Sequence, residues 1–325
     1  ITAEVKGHAD IYLLIVTASI PFIALYNGGA AIFRAMGNSQ VSMRVSLLMN
    51  AINVTGNAIL VFGLRIGTAG VAIPTLISRM VAAIVITVLL CNQTRILHIE
   101  RTLKFRFDGR MIRKILAIGV PNGLENSMFQ LGKILVLSLV STFGTYAIAA
   151  NAVSNAIALF QILPGMAISL AITTVISQCV GANDYEQVHY YLKKLLAIIY
   201  VAMAGTVALI FLALPLILKA YNLSDQTAAA ATNIIHFHGI SAMIIWPLSF
   251  ALPAAYRAAG DAKACMYTSI VSMWIFRIGF SYLVGKYMGL GVFGVWVAMV
   301  IDWVVRAICF VIRYFNGKWK QGAIV

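Results

Sequence analysis

The stretch LLAIIYVAMAGTVALIFLAL occupies residues 195–214 and contains no charged residue. As an α-helix rising about 1.5 Å per residue, such a run covers about 30 Å, the thickness of the hydrocarbon core of a bilayer. Working outward from it, apolar runs of comparable length lie near 9–33, 42–62, 70–91, 115–141, 146–178, 190–214, 228–256, 264–285 and 291–313. A chain in lipid must satisfy its own backbone hydrogen bonds, so each run is a helix or part of a closed barrel. Runs this long, without turn signals every ten residues, are helices. Pro21, Pro164, Pro247 and Pro253 fall inside them and predict bent axes.

Composition agrees. Of 325 residues, 61% are hydrophobic and 10% charged, and the mean hydropathy is +0.92. Soluble domains are about 45–50% apolar and about 25% charged. These values exclude a soluble enzyme, a disordered chain and a fibrous protein, and leave a polytopic membrane protein. The net charge of +14 would suggest nucleic acid in a soluble chain. Here most of the bases sit in the connections, where they set orientation, and no nucleic-acid partner is expected. Cys91, Cys179, Cys265 and Cys309 are far apart and read as buried free thiols, without a metal or disulfide role. No signal peptide opens the chain, and its first residue is Ile1, which points to a fragment.

Sixteen basic residues, among them Arg34, Arg95, Arg101, Lys193, Arg257 and Lys318, fall in the connections after alternate spans and in the tail. The other side holds Lys6, Arg65, Lys219 and Lys286. The richer side is expected to be cytoplasmic, with the C-terminus, and Ile1 outside.

The chain also repeats itself. Phe33-Arg34-Ala35-Met36-Gly37 resembles Tyr256-Arg257-Ala258-Ala259-Gly260; Met43 and Ser46 then match Met266 and Ser269. Gly67-x-x-Gly70 matches Gly291-x-x-Gly294, and three spans run through each copy. Repeated halves are a signature of secondary transporters, whose site lies between the repeats. Three spans, at 115–214, precede the second copy and none precedes the first. Equivalent halves therefore predict nine spans of a twelve-span protein, with an N-lobe remainder at 1–91, a basic connection at 92–114, a C-lobe at 115–315 and a tail at 316–325. The bases of 92–114 are expected to meet anionic head groups.

These residues resemble the multidrug and toxic compound extrusion (MATE) family over nearly the whole chain. The resemblance rests on the paired Arg-x-x-Gly ends at Arg34 and Arg257, on Gly67-Thr68-Ala69-Gly70-Val71-Ala72-Ile73-Pro74-Thr75, and on Gly119-Val120-Pro121-Asn122-Gly123-Leu124-Glu125. Phe143-Gly144-Thr145, Pro164-Gly165 and Gln178-x-x-Gly181-Ala182 complete it. It implies an all-α bundle of twelve helices in two lobes, and export of amphipathic, often cationic compounds driven by inward Na⁺ or H⁺.

Ionisable groups deep in lipid are costly and mark function by default. The acids that qualify are Glu125 and Asp302; the bases are Arg79, Lys133, Arg277 and Arg306. Glu125 either couples transport, by exchanging a proton or giving hard oxygens to Na⁺, or hydrogen-bonds across helices. No base lies within one turn of it on its own helix. Asp302, Arg277 and Arg306 read as a buried ion-pair cluster that packs the lobe. Asn53 and Asn57 share a helix face; with Thr75 they can bind Na⁺ or substrate, or join helices by hydrogen bonds. Asn151 and Asn155 repeat that spacing. The family pattern resembled here often has Asp where this chain has Asn57, and its sodium branch has an acid in the run at 228–256, which holds none. Both known coupling patterns are therefore broken.

His236 and His238 point to opposite helix faces, so no metal site is expected. There is no nucleotide-binding Gly-x-x-x-x-Gly-Lys sequence and no His-Glu-x-x-His. The expectation is a secondary active multidrug antiporter, multi-pass in the plasma membrane. It would be monomeric, with the bilayer and a drug-like molecule as partners and only Na⁺ or H⁺ as coupling ion. A lipid-linked saccharide flippase is the alternative, and would need a cationic cavity. An intramembrane enzyme is a remote one, and would need Glu125 and Asp302 together.

Overall fold

The computed structural model describes residues 3–99 and 107–322. Ten helices are strung along it: α1 Ala3–Ala18, α2 Ile20–Ala35, α3 Ser39–Gly63, α4 Ala69–Leu90, α5 Gly109–Ser141, α6 Thr145–Gly181, α7 Tyr185–Ala220, α8 Asp225–Ala258, α9 Ala262–Tyr287 and α10 Gly291–Phe315. A short 3₁₀ turn, Lys318–Gly322, follows. Contacts divide the chain at Arg106/Phe107 into a unit holding α1–α4 and a unit holding α5–α10. Arg101, Lys104 and Arg106 of the basic connection lie outside the described residues.

Eight stretches are long and apolar enough to cross a membrane, α1 and α2 together counting as one from Lys6 to Ala35. The ninth expected span lies within α5. At 33 residues α5 is long enough, but Asn122, Glu125, Asn126, Gln130 and Lys133 make it too polar to qualify. It also starts at Gly109, so 109–114 are its first turns rather than loop. The Asp108 carboxylate starts the helix by accepting from two free backbone amides of the first turn. Arg110 N donates to it at 2.9 Å. Met111 N donates to the same oxygen at 3.2 Å.

Large apolar side chains face outward throughout. Leu212 is 84% exposed and Phe62 is 82% exposed. In water such a surface would drive aggregation; in lipid it is the expected coat. Inside each unit aliphatic, aromatic and alanine side chains pack together. In the first unit Tyr26, Ala30, Phe33, Ala82 and Ile86 form the core. In the second the core runs from Leu139 through Trp246 and Tyr256 to Trp303 and Trp319.

The repeated motifs have one backbone geometry. Gly37 and Gly260 lie at φ +76° and +88°. In each copy the glycine amide donates three residues back, at 2.9 Å to Arg34 O and 3.1 Å to Arg257 O. The next amide donates five residues back, Asn38 to Phe33 O and Asp261 to Tyr256 O, both at 2.9 Å. That is a helix stop closed through the left-handed conformation that glycine adopts without a Cβ clash. Gly67 and Gly291 likewise have positive φ before a helix start. Three residues on, a Cβ on Gly70 would meet Leu60 O at 3.2 Å, and one on Gly294 would meet the Gly285 Cα at 2.8 Å. Both second glycines let two backbones touch.

The helices are interrupted at more points than four prolines predict. Pro74, Pro121 and Pro215 also lie inside helices. The expected first span breaks at Ser19, just before Pro21, and α3, α8 and α9 contain π-helical turns at Ala58–Gly63, Pro247–Ala251, Met273–Gly279 and Ser281–Tyr287. Such turns free backbone groups and concentrate at functional positions. The cysteines are free, but only Cys265 is buried; Cys309 is exposed on an apolar helix and Cys91 and Cys179 are intermediate. An apolar neighbourhood in sequence did not mean burial, because lipid-facing positions are equally apolar.

Candidate functional site

The polar residues of α5 face a cavity of about 480 Å³ in the second unit. Glu125, Asn122, Asn126 and Gln130 line one side, and Trp246, Phe250, Trp296 and Trp303 another. Four bases, Lys133, Arg257, Arg277 and Arg306, also line it, against the single acid Glu125.

Glu125 has a neutralising base from another helix. Arg257 Nη1 lies 3.2 Å from its Oε2 and 3.5 Å from its Oε1, with the Glu125 side chain 15% exposed. A search along α5 alone could not find this partner, because Arg257 is 132 residues away and belongs to the helix-stop motif of α8.

The expected cluster of Arg277, Asp302 and Arg306 is only partly formed. Asp302 is fully buried; its Oδ1 accepts from Arg306 Nε at 2.9 Å and from the Ser272 hydroxyl. Arg306 also donates to Ser269 O at 3.0 Å. Arg277 joins no ion pair among the described residues, and its Nε is buried without a partner. The correction has a physical cause: the i,i+4 pair on α10 satisfies itself, while Arg277 sits in the π-helical turn Met273–Gly279. Arg277 and Arg306 instead stack on Phe129, as cations do on the negative face of an aromatic ring. The guanidinium carbon of Arg277 lies 5.3 Å from the ring centre. That of Arg306 lies 5.4 Å from it. Lys133 Nζ reaches the same ring at 5.2 Å.

Among the sequence candidates, Asn155 lines the cavity and Asn151 does not; its Oδ1 accepts from Trp296 Nε1 at 3.1 Å. The amide of Asn155 turns back to Asn151 O at 2.8 Å. His238, buried, pairs through Nδ1 with Gln161 Oε1 and packs edge-on to Trp296 and Trp303 at 5.3 Å. Gln161, Phe129 and the tryptophans were not legible as site residues, since none is ionisable; only their contact with the cavity or its wall marks them.

In the first unit, Asn53, Asn57 and Thr75 do come together. Asn57 Nδ2 donates to Asn53 Oδ1 at 3.2 Å, and Asn53 Nδ2 to Thr75 Oγ1 at 3.1 Å. Thr75 passes its proton to Val71 O at 3.0 Å. Asn57 Oδ1 is left buried without a partner. Arg79 donates to the Ser19 hydroxyl, at the break between α1 and α2, at 2.6 Å.

Glu125 and Asp302 are each held by a different arginine, with no contact between them among the described residues. Long apolar helices around a polar cavity define a polytopic membrane protein. The family model MatE matches residues 121–283, just over half of the chain. The chain belongs to the MatE family. An "Uncharacterized transporter YisQ" of Bacillus subtilis is 29% identical, over 96% of this chain and 69% of its own. A "Probable multidrug resistance protein NorM" of Thermotoga maritima is 22% identical over 99% and 70%. Among solved structures, a MOP superfamily transporter from Pyrococcus furiosus superposes with a TM-score of 0.86 at 22% identity, covering 96% of this chain and 70% of that one. It is described as having a binding pocket of reversed polarity that suggests a different function.

Proposed function

We propose that this chain is a secondary active exporter that moves amphipathic small molecules out of the cell by alternating access, driven by inward Na⁺ or H⁺. The observation that carries the reading is the cavity of about 480 Å³ on the polar face of a membrane-length helix. A transporter's substrate needs polar groups at membrane depth together with apolar walls that accept many shapes. Relatives named as multidrug resistance proteins support the same reading.

In this proposal Glu125 is the coupling group of the second unit. When a proton or Na⁺ takes its carboxylate, the hold on Arg257 weakens, and Arg257 belongs to the helix stop that closes α8. Coupling would thus act on a helix end rather than on the substrate alone. Asn53, Asn57 and Thr75 form a second, neutral cation site in the first unit, using amide and hydroxyl oxygens; the unpartnered Asn57 Oδ1 is its free ligand. Asn155 contacts substrate, Asn151 orients Trp296, and the Asp302–Arg306 pair holds α9 to α10. The positive-inside reading places the C-terminus in the cytoplasm.

The test is dye efflux from proteoliposomes under a Na⁺ gradient and, separately, an H⁺ gradient. Efflux driven by one gradient and lost in Glu125→Gln supports both the exporter and the coupling role. Efflux under one gradient that survives the variant removes Glu125 from coupling, and no efflux under either removes the exporter. One observation favours the flippase alternative: the cavity wall holds four bases and one acid, the charge a lipid-linked pyrophosphate requires.

A further inference from the structure

The charges of the second unit pair off unevenly. Glu125 is matched by Arg257 and Asp302 by Arg306. Lys133 and Arg277 have no acidic partner within ion-pair distance among the described residues, and neither side chain donates a hydrogen bond there. Both reach the Phe129 ring, and with Asn155 and Trp296 they line two hollows, of about 480 and about 230 Å³. Two like charges brought to one ring repel each other. They are tolerated while water fills the cavity, and they are stabilised when an anion replaces that water. Trp303, on the wall of the larger hollow, has a buried Nε1 that no acceptor in the protein engages. The cavity therefore presents spare positive charge. The unused acceptor nearby, Asp302 Oδ2, is fully buried behind the wall.

We propose that this cavity selects amphipathic organic anions: a carboxylate, sulfonate or phosphate held between Lys133 and Arg277, with an aromatic or apolar body against Phe129, Trp246 and Phe250. Arg suits this role because its planar donors engage two oxygens of an oxyanion at once, and Lys adds a mobile point charge. A cation of the same shape would meet two positive charges that no ion pair neutralises. The two acids, Glu125 and Asp302, can offset only two of the four bases Lys133, Arg257, Arg277 and Arg306. The inference rests on the exporter reading for its purpose, though not for its binding chemistry. It reverses the cationic cargo that family resemblance implies.

The test separates binding from transport. Calorimetric titration of the full chain in zwitterionic nanodiscs compares 2-naphthoate with 2-naphthylmethylamine, two probes of one shape and opposite charge. Naphthoate is expected to bind at least tenfold tighter. Lys133→Gln and Arg277→Gln should each weaken naphthoate about tenfold and leave the amine unchanged or tighter, and Arg277→Lys should keep most of the preference. Equal or tighter binding of the amine overturns the proposal, as does a variant that weakens both probes alike. Naphthoate that binds but moves under neither gradient leaves the anion site standing and ends the exporter reading. Exported amine with no naphthoate binding does the reverse. Nanodiscs carrying a polyprenyl phosphate distinguish two sources of the oxyanion: competition puts it on a lipid, and unchanged naphthoate binding puts it on a soluble compound.

Discussion

The two Arg-x-x-Gly motifs share a backbone and differ in chemistry. Around Gly37 and Gly260 the same amides reach the same carbonyl positions. Among the described residues Arg34 then finds the Ser42 hydroxyl, at 3.3 Å, whereas Arg257 finds the Glu125 carboxylate. The same contrast recurs deeper in each unit. Ser78, which aligns with Asp302, donates to its own helix at Thr75 O, 3.1 Å away. Asp302 joins two helices through Ser272 and Arg306. A duplicated framework thus keeps what is local, the helix stop, and diverges in what needs a partner far along the chain. The first unit keeps a neutral amide chain, and the second has become charged.

Removing the charge at the deepest divergent position should give the largest difference. Asp302→Ala strands the buried Arg306 guanidinium and is expected to cost about 3–5 kcal/mol, whereas Ser78→Ala should cost under about 1 kcal/mol. Thermal unfolding of each variant in the same lipid or detergent reads the contrast; equal losses would mean that Asp302 is not a structural charge. The paired glycines come next, measured the same way. Gly294→Ala forces a Cβ against the Gly285 backbone and should cost about 1–3 kcal/mol. Gly70→Ala should cost less, because its new Cβ would stand 3.2 Å from the nearest atom rather than 2.8 Å. A reversal of that order would show the π turn at Leu60 to be stiffer than the approach of α9 to α10.

The helix stops should behave alike. Gly37→Ala and Gly260→Ala each impose positive φ on a Cβ-bearing residue, and each should lose about 1 kcal/mol. Unequal losses would break the equivalence of the two stops. The smallest stability effect is expected at the motif arginines. Both are partly solvated. Arg34→Gln and Arg257→Gln should therefore each cost only about 0–1 kcal/mol. They should part in transport: if Arg257 answers to Glu125, its loss should uncouple efflux from the ion gradient at near-normal stability, and Arg34→Gln should leave coupling intact.

Much of the framework was legible early. Apolar length placed the spans to within a few residues at most of their ends, because lipid requires continuous helices and leaves few alternatives. The repeated glycines marked helix stops and starts for a local conformational reason. The site was half legible. An ionisable residue inside an apolar run stands out, so Glu125, Lys133, Arg277, Asp302 and Arg306 could all be singled out. Their partners could not. Arg257 read as a loop charge, because charge counts along a chain hold no information about side-chain reach. Phe129, Trp246 and Trp303 are apolar residues that no pattern sets apart, and Pro74, Pro121 and Pro215 were not singled out as helix-internal prolines.

The sequence by itself determined that this chain spans a membrane, that it is helical and that short motifs recur along it. Each of these follows from composition, period, motif or backbone rule, which act between near neighbours. Only the tertiary structure decided which charges cancel. Pairing Glu125 with Arg257, and Asp302 with Arg306, leaves Lys133 and Arg277 outside any ion pair among the described residues, around one aromatic ring. The sign of a cavity is a difference between charges brought together from distant positions, and no local pattern in the chain encodes that difference.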